Sequence, residues 1–528
     1  MPIDYLTRNE ARARARGFQK KSLRRVMIAV SLLCAAESLA VPMPTVKLYE
    51  FKTPNYTLVM ESAQQAPMLL EKVAALERLL PTLVDHDDSG DALPTCIFVF
   101  PSLHWREYLD PDESSSGFLP SRFSNLILID GTVRGGGLRR VAFGNYTRAY
   151  LRARYPRQYP FWFEMGLSSL MSTATLDDRT ARLGADPFRR NENEAFFSGS
   201  FWFDPSEIGT NLRVPLGRLL RLEPESTEYA DAYSGRRARQ QSWRLVHRGI
   251  VSEPEFGARF STYFASRERM QSVDEALHQA FNTDAVTLDA EMAAYEKRKV
   301  IATRDFSLPP STGSPKLVPS RRMNEGEALV LLARAMLDGG METPRIARLI
   351  EGAAQIEGDT TGVRALWLRL AARYHDDTMF LKLITATGDS HLQGLPREAA
   401  LAVVERLYSG FPNVDDATVD LQMLREHALT LLGQAAASPA DVEAAWGYAL
   451  LAADLERDLP QAHAAISAAR EQRPRSPDLA LAAARVNEAL GDSKAARKDL
   501  VAVFRFSRNV ELRAWAAERI DELATPTP

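Results

Sequence analysis

The sequence predicts an α+β domain followed by an all-α domain of helical repeats. In the first part, short apolar runs, of which residues 96–100 are typical of a buried strand, alternate with helix-compatible stretches. In the second part alanine and leucine dominate, and amphipathic stretches of helical length replace the strand patterns. A segment rich in proline, serine and glycine separates the two and is typical of a linker. We therefore predict an N-terminal targeting segment, an α+β domain, a linker and a helical-repeat domain, over residues 1–40, 41–300, 301–322 and 323–528.

Length and composition are those of a folded protein with more than one core. The chain has 528 residues, of which 45% are hydrophobic and 25% are charged. A single hydrophobic core does not grow to this size. The formal net charge is −3, which is not the strongly basic balance of nucleic-acid-binding proteins. We predict no nucleic-acid partner.

The first 40 residues are typical of a bacterial export signal. Residues 1–26 carry eight basic and two acidic side chains and precede an apolar run that ends at Ala36. Ser38 and Ala40 supply the small residues of a signal-peptidase site. Export to the periplasm or cell envelope is the expectation. The basic region is long, so an uncleaved segment that tethers the protein to the membrane remains the alternative.

Two neighbouring segments suggest an ancestry. Residues from Val141 to Leu151 are compatible with a helix, and the run Tyr-Pro-Phe-Trp-Phe-Glu-Met-Gly-Leu follows at residues 159–167. This pair resembles the active-site stretch of gluzincin zinc metallopeptidases. In that family a His-Glu-x-x-His helix supplies two ligands and a general base, and a Trp-x-x-Glu-Gly segment supplies the third ligand. The resemblance implies a gluzincin-like scaffold, a small mixed sheet with helices, of the kind found in bacterial domains of unknown function.

The functional positions of that pattern are substituted in this chain. The resemblance places Gly144 and Arg148 at the two histidines, Asn145 at the general base and Met165 at the third ligand. Glycine has no side chain, arginine is a permanent cation, asparagine cannot accept a proton near neutral pH, and a thioether prefers softer metals than zinc. We therefore predict no metal, no cofactor and no catalytic residue here, which makes the domain a pseudopeptidase.

A charged pair is expected instead of the metal. Glu164 lies one residue from the third-ligand position, which is about 100° around a helix. If Arg148 points into the position of the ion, its guanidinium replaces that charge, and Glu164 is its candidate partner. A zinc site assembled from isolated, distant residues remains the alternative. The histidines of this domain show no helix-face spacing, and they are His86, His104, His247 and His278.

The resemblance extends over about residues 45–300, in the order of elements that the family shows. It comprises an opening strand, a helix, a buried strand, a loop, an edge strand and closing helices. The corresponding segments are Lys47–Met60, Ala66–Leu80, Cys96–Phe100, Ser116–Pro120, Asn125–Ile129, Gln240–His247, Glu275–Phe281 and Leu288–Tyr295.

Several residues are candidates for the wall of a cleft, namely Tyr146, Trp162, Glu164, Trp243 and His247. Large rings supply much of the buried area of a core, so core packing is the favoured interpretation of the tryptophans. His247 is either a relic of substrate binding or, as we favour, a hydrogen-bonded histidine on a packed helix. An arginine cluster either recognises an anion or, as we favour, forms a salt-bridged surface. Its members are Arg134, Arg139, Arg140, Arg148, Arg152, Arg154 and Arg157.

The second domain is typical of an α-solenoid. Its clearest unit begins with a helix from Pro477 to Leu490, turns at Gly491–Asp492 and continues with a helix from Ser493 to Phe506. This unit resembles a tetratricopeptide repeat. A plain helical bundle packed against the first domain is the alternative. Further breaks are expected at Gly339–Gly340, Gly358–Asp359, Gly388–Asp389 and Gly410.

These features predict an exported, catalytically inactive peptidase-like protein that binds or scaffolds other proteins in the cell envelope. The helical repeats are expected to leave a concave face free for a protein or peptide partner. A sheet edge beside the former cleft is the expected place for an extended peptide. Membrane contact is expected only if the N-terminal segment stays uncleaved. The alternative function is an active metal-dependent peptidase or hydrolase with rearranged ligands.

Overall fold

The structure is a computed structural model. It describes residues 47–53, 56–61, 63–84, 93–100, 117–131, 137–154, 159–188, 213–224, 226–230, 232–269, 271–298, 301–310, 321–339, 343–358, 360–373, 379–380, 383, 396–408, 421–507 and 509–524. The predicted targeting segment, His86, His104 and the expected breaks at Gly388–Asp389 and Gly410 lie outside these residues. No helix in the described ranges is both long enough and apolar enough to cross a membrane.

The described strands are β1 (Leu48–Lys52), β2 (Tyr56–Met60), β3 (Thr95–Phe100), β4 (Gly117–Pro120), β5 (Asn125–Asp130), β6 (Thr175–Leu176), β7 (Thr180–Leu183), β8 (Arg304–Ser307) and β9 (Arg321–Met323). The helices before β8 are α1 (Ala66–Leu83), α2 (Gly137–Arg154), α3 (Phe161–Ser172), α4 (Leu216–Leu219), α5 (Thr227–Ala230), α6 (Ala232–His247), α7 (Pro254–Glu268), α8 (Val273–Phe281) and α9 (Ala285–Glu296), with a π-helical turn at Arg248–Ser252. The helices after β9 are α10 (Glu325–Asp338), α11 (Thr343–Glu357), α12 (Thr361–Arg373), α13 (Pro396–Tyr408), α14 (Leu421–Ala436), α15 (Val442–Leu455), α16 (Leu459–Gln472), α17 (Pro477–Ala489), α18 (Ser493–Phe506) and α19 (Val510–Glu522).

The main sheet is mixed, in agreement with the predicted fold class. Within the described residues its strand order is β4-β5-β3-β2-β1-β9. Strands β2, β3 and β5 are parallel to one another, and the remaining neighbours are antiparallel. A second, antiparallel sheet consists of the short strands β6, β7 and β8.

Both faces of the main sheet are buried. In β3, Ile97 and Val99 pack on one face against α1, α2 and α3. Phe98 and Phe100 pack on the other face against α10 and α11. A strand covered on both faces needs a continuous apolar run, and this is why residues 96–100 do not alternate with polar residues. The first helices of the second domain therefore complete the core of the first domain.

Two strand predictions are corrected. The predicted single strand Lys47–Met60 is a hairpin of β1 and β2, because Thr53 closes a turn. The Thr53 N–H donates to Tyr56 O at 2.9 Å, and Thr53 Oγ1 accepts from the Tyr56 N–H at 3.0 Å. The predicted edge strand Asn125–Ile129 is the inner strand β5, and the edge is β4, within the predicted loop. An edge strand tolerates proline where its missing N–H would face away from the ladder.

The predicted linker contributes two strands. Strand β8 pairs with β7, and β9 pairs with β1 at the margin of the main sheet. Both strands are short and rich in charge, so no apolar periodicity marks them in the sequence. Residues 311–320 lie outside the described part of the chain, and the domain boundaries stay a prediction.

After β9 the chain forms pairs of packed helices. The pairs are α10 with α11, α13 with α14, α15 with α16, and α17 with α18. Helices α10, α12, α13, α15 and α17 contact one another in that order, and we call them the first-helix layer. Stacked pairs of this kind are the arrangement of a solenoid. The stacked pairs agree with the predicted solenoid. The packing of α10 and α11 on the main sheet agrees with the alternative, in which helices pack against the first domain.

The predicted repeat unit is present with the expected boundaries. The Ser476 side chain accepts from the Leu479 N–H and caps α17, which begins at Pro477. Gly491 has φ of +80°, a left-handed conformation that favours glycine and ends the helix. Asp492 then caps α18 by accepting from the Ala495 N–H.

Candidate functional site

Helices α2 and α3 pack against each other beside the edge strand β4. Gly144 allows their close approach, since a Cβ at this position would lie 3.2 Å from Ser168 Oγ. The same hydroxyl donates a hydrogen bond to Gly144 O at 2.8 Å. Residues 144, 148 and 152 are spaced four apart and share one face of α2. The structure therefore turns the two predicted histidine positions toward α3.

Glu164 of α3 lies opposite this face and is fully buried. Arg152 Nε donates to Glu164 Oε1 at 2.8 Å, and Arg148 Nε donates to the same oxygen at 3.3 Å. The predicted pairing of Arg148 with Glu164 is present. Arg152 is a second partner that the sequence analysis did not single out, although its spacing of four from Arg148 was the available signal.

Phe118 of β4 lies over the two guanidinium groups. Its ring centroid is 5.3 Å from Arg148 Cζ and 5.2 Å from Arg152 Cζ, which is within cation–π range. The Arg148 side chain is 20% exposed and that of Arg152 is 12% exposed. Arg148 is thus the member of this cluster that solvent reaches most. We call Glu164, Arg148, Arg152 and Phe118 the arginine cluster of α2. It shares only Arg148 and Arg152 with the larger group of arginines noted in the sequence.

The residues at the four predicted positions do not fit a zinc centre. Gly144 offers no donor, Asn145 is only half-buried, and Met165 packs in the hydrophobic core. The Glu164 carboxylate is already bound by two guanidinium groups, which a metal ion would have to displace. Throughout the described ranges, no group of three or more His, Cys, Asp or Glu side chains is arranged to hold a metal ion.

The remaining candidate cleft residues are core residues, which agrees with the favoured interpretation of Trp162, Trp243 and His247 and leaves Tyr146 without a cleft role. Tyr146, Trp162, Trp243 and His247 are all buried. The Tyr146 hydroxyl donates to Glu77 of α1. Trp162 packs among aromatic rings of α7. The helix faces that carry these side chains pack against other helices and are not exposed to solvent. The aromatic rings therefore contribute buried apolar area to the core, as the favoured interpretation predicts.

His247 is held by a chain of hydrogen bonds. Its Nε2 lies 3.0 Å from Ala302 O, which can only accept, so we assign the proton to Nε2. Its Nδ1 then accepts from the Tyr295 hydroxyl at 2.7 Å, and that hydroxyl accepts from Ser252 Oγ at 2.7 Å. Burial lowers the pKa of His247 below its ordinary value, a hydrogen bond to Ala302 O opposes this, and the Arg244 charge adds to it. His247 therefore links the end of α6 to the segment that leads into β8.

This environment predicts a pH dependence of stability. Since the folded-state pKa of His247 is depressed, the unfolded chain binds the extra proton as the pH falls below about 6.5. We expect the free energy of unfolding to fall there by up to about 1.4 kcal/mol per pH unit from this residue. Urea unfolding of the wild type and of His247→Gln at pH 7, 6 and 5 measures the effect.

The exposed His278 provides the matched control, because His278→Gln removes a histidine without changing a buried one. The wild type and His278→Gln should lose stability in parallel toward pH 5, whereas His247→Gln should lose less. A difference between the wild type and His247→Gln that is the same at all three pH values would argue against a neutral buried imidazole.

The turn between β4 and β5 lies against the first-helix layer. Arg122 Nε is 3.0 Å from Asp478 Oδ1, and Arg122 Cζ is 4.0 Å from the Trp446 ring centroid. Phe123 meets the same tryptophan edge-on at 5.9 Å, and its carbonyl oxygen accepts from Arg473 Nη1 at 3.0 Å. The helical repeats therefore contact part of their own first domain, and the predicted concave face for a partner stays a prediction.

An arginine is buried within the first-helix layer. Arg369 of α12 is 2% exposed and lies 2.9 Å from Asp338, 2.7 Å from Glu405 and 3.3 Å from Glu443, on three other helices. Burial lowers the pKa of Arg369, but these carboxylates outweigh it and hold the pKa well above its ordinary value. These ion pairs link α12 to α10, α13 and α15. Nothing periodic in the sequence marks them.

Comparisons with known proteins give little about identity. No protein-family model matches the chain, and no curated protein matches it. A solved structure that is similar is the crystal structure of a thermophilic tetratricopeptide-repeat protein from Thermus thermophilus. The identity is 16%, the TM-score is 0.30, and the match covers 37% of this chain and 98% of that chain. The contacts among the helices of this chain are what define its helical repeats.

Proposed function

We propose that the chain is a non-catalytic protein-binding protein in which a peptidase-like scaffold presents a sheet edge to an extended segment of a partner. The arginine cluster of α2 carries this proposal. It occupies the facing surfaces of α2 and α3, where a gluzincin-like enzyme needs two imidazoles and a general base. A carboxylate bound by two guanidinium groups is poorly suited to accept a proton or to bind a cation.

The open edge of β4 supports a binding role. The Ser121 N–H donates to Ser124 O at 2.9 Å, so these two residues form a hydrogen-bonded pair. Alternation along the antiparallel ladder then directs the N–H and C=O of Phe118 away from β5. Pro120 has the same outward direction but offers only a carbonyl. In the part of the chain that the structure describes, no strand pairs with this side of β4.

The second domain supports the same role. In its first-helix layer, Trp446 and Asp478 contact Arg122 of the turn after β4, and these contacts hold the end of the edge strand in position. Solenoids commonly bind proteins, and we propose that the repeats also contact a partner. Location in the cell envelope is part of the proposal and rests on the targeting segment. An active hydrolase with rearranged ligands would need donors from outside the described residues.

A peptide-binding experiment tests this function. The full chain is titrated into a fluorescein-labelled peptide of alternating serine and valine, and into an analogue with alternate amides N-methylated. We expect the methylated analogue to bind at least about tenfold more weakly, because main-chain hydrogen bonds hold the peptide. Mass spectrometry after incubation with zinc should recover the parent peptide intact. Cleavage would contradict the non-catalytic role, and equal affinities would contradict pairing with the edge.

A further inference from the structure

We propose that Arg148 forms a subsite for an acidic side chain of the segment that pairs with β4. This inference rests on the proposed function, because it concerns the ligand of the same sheet edge. It names the chemistry of that ligand, which is an extended segment with an aspartate or glutamate at the position opposite Phe118.

Phe118 fixes where the ligand side chain points. Residues directly opposite each other on neighbouring strands have their side chains on the same face, with Cβ atoms about 5 Å apart. The Phe118 side chain lies on the α2 face, among the core residues of α2 and α3. A ligand residue opposite it therefore points toward α2. Since Arg148 Cζ is 5.3 Å from the Phe118 ring centroid, a carboxylate at that position lies within reach of this guanidinium.

Arg148 has donors for such a carboxylate. Its bond to Glu164 uses Nε, at 3.3 Å, and is the longer of the two bonds to that carboxylate oxygen. The hydrogen bonds that Arg148 makes with described residues leave Nη1 and Nη2 for a ligand, and the side chain is 20% exposed. A guanidinium binds a carboxylate through two parallel N–H bonds. The Nη pair is therefore suited to an acidic side chain.

The charge of the cluster favours an anion. Glu164 carries one negative charge, whereas Arg148 and Arg152 carry two positive charges in a poorly solvated position. A ligand carboxylate would give Arg148 a closer counter-charge than Glu164, which lies 3.3 Å away and also binds Arg152. Nearby Arg122 does not compete for this role, because it is bound to Asp478 and lies over Trp446. Charge complementarity thus selects an acidic residue over its amide at the same position.

The experiment compares two peptides that differ only in charge. The peptide of alternating serine and valine carries either glutamate or glutamine at one central valine position. We expect the wild-type full chain to bind the glutamate peptide about tenfold more tightly, as a charge-assisted bidentate bond provides, and the preference should shrink as sodium chloride is added. In Arg148→Gln the ratio should fall to about one, because the glutamate peptide loses its charged partner.

Two further variants control for charge and folding. Arg139→Gln removes the same charge from an exposed position of the same helix, and should keep the wild-type preference. Arg148→Lys retains a cation beside Glu164 but loses the bidentate geometry, so its ratio should be about threefold. In Arg148→Gln the bond from Arg152 to Glu164 remains, which keeps α2 and α3 joined.

The outcomes separate this inference from the proposed function. A preference that persists in Arg148→Gln, or a wild-type ratio near one with both peptides bound, overturns the acidic subsite alone. Failure of the wild type to bind either peptide overturns pairing with the β4 edge, and the subsite with it.

Discussion

Replacing Arg369 by methionine is expected to lower the free energy of unfolding by about 3–5 kcal/mol, because it leaves Asp338 and Glu405, which are largely shielded from solvent, without their nearest cation. Asp338, Glu405 and Glu443 then face one another across three helices. Burial already raises the pKa of Asp338, and Arg369 is the largest influence that opposes this rise. Urea unfolding of the full chain measures the loss, and hydrogen exchange should locate it in α12 and α13.

The loss of stability in Arg369→Met should increase as the pH rises. Without the cation, the pKa of Asp338, which burial already raises, rises further in the folded state, so the folded variant binds more protons than the unfolded chain. Stability therefore falls as the pH rises, and the deficit should be larger at pH 7.5 than at pH 5. Arg334→Met is the matched control, since Arg334 belongs to the same cluster but is 47% exposed, and its loss should stay below about 1 kcal/mol. Equal losses for the two variants would show that Arg369 is no more than a surface charge.

Glu164→Gln is expected to destabilise the protein by about 2–3 kcal/mol, because a neutral amide replaces the fully buried carboxylate that Arg148 and Arg152 share. Adding Arg152→Gln to this variant should restore part of the loss, since it removes one of two like charges. The free energy of unfolding in urea is the measured quantity.

The exposed pair of Arg519 with Glu522 provides the control for this second prediction. Glu522 is 62% exposed, so Glu522→Gln should change stability by less than about 0.5 kcal/mol. If Glu164→Gln behaves like this control, the carboxylate does not hold α2 to α3. If the double variant Glu164→Gln, Arg152→Gln has a lower free energy of unfolding than Glu164→Gln alone, repulsion between Arg148 and Arg152 is contradicted.

Local signals in the sequence predict much of the fold. The boundaries of α17 and α18 follow from Ser476, Pro477 and the Gly491–Asp492 turn, because each acts within a few residues of its position. The pair of Arg148 with Glu164 was predicted from the resemblance, which places Arg148 at a ligand position and Glu164 one residue from another.

Long-range contacts account for what the sequence does not predict. Strand β9 carries charged residues and pairs with β1 far back in the chain, so its position depends on the sheet that receives it. The partners of Arg369 lie 31, 36 and 74 residues away, and no spacing rule connects them. The contact of Arg122 with Trp446 joins two domains in the same way. These features follow from how the domains pack, which local propensities do not determine.

The zinc content of the purified full chain tests the central claim most directly, which is that a charged cluster of Glu164, Arg148 and Arg152 replaces a metal site. The protein is incubated with zinc, dialysed to remove the excess and subjected to elemental analysis. We predict fewer than about 0.1 zinc ion per chain, because neither Gly144 nor Arg148 can ligate zinc. About one zinc ion per chain would contradict the claim and would require a set of ligands other than the one that the α2 and α3 helices present.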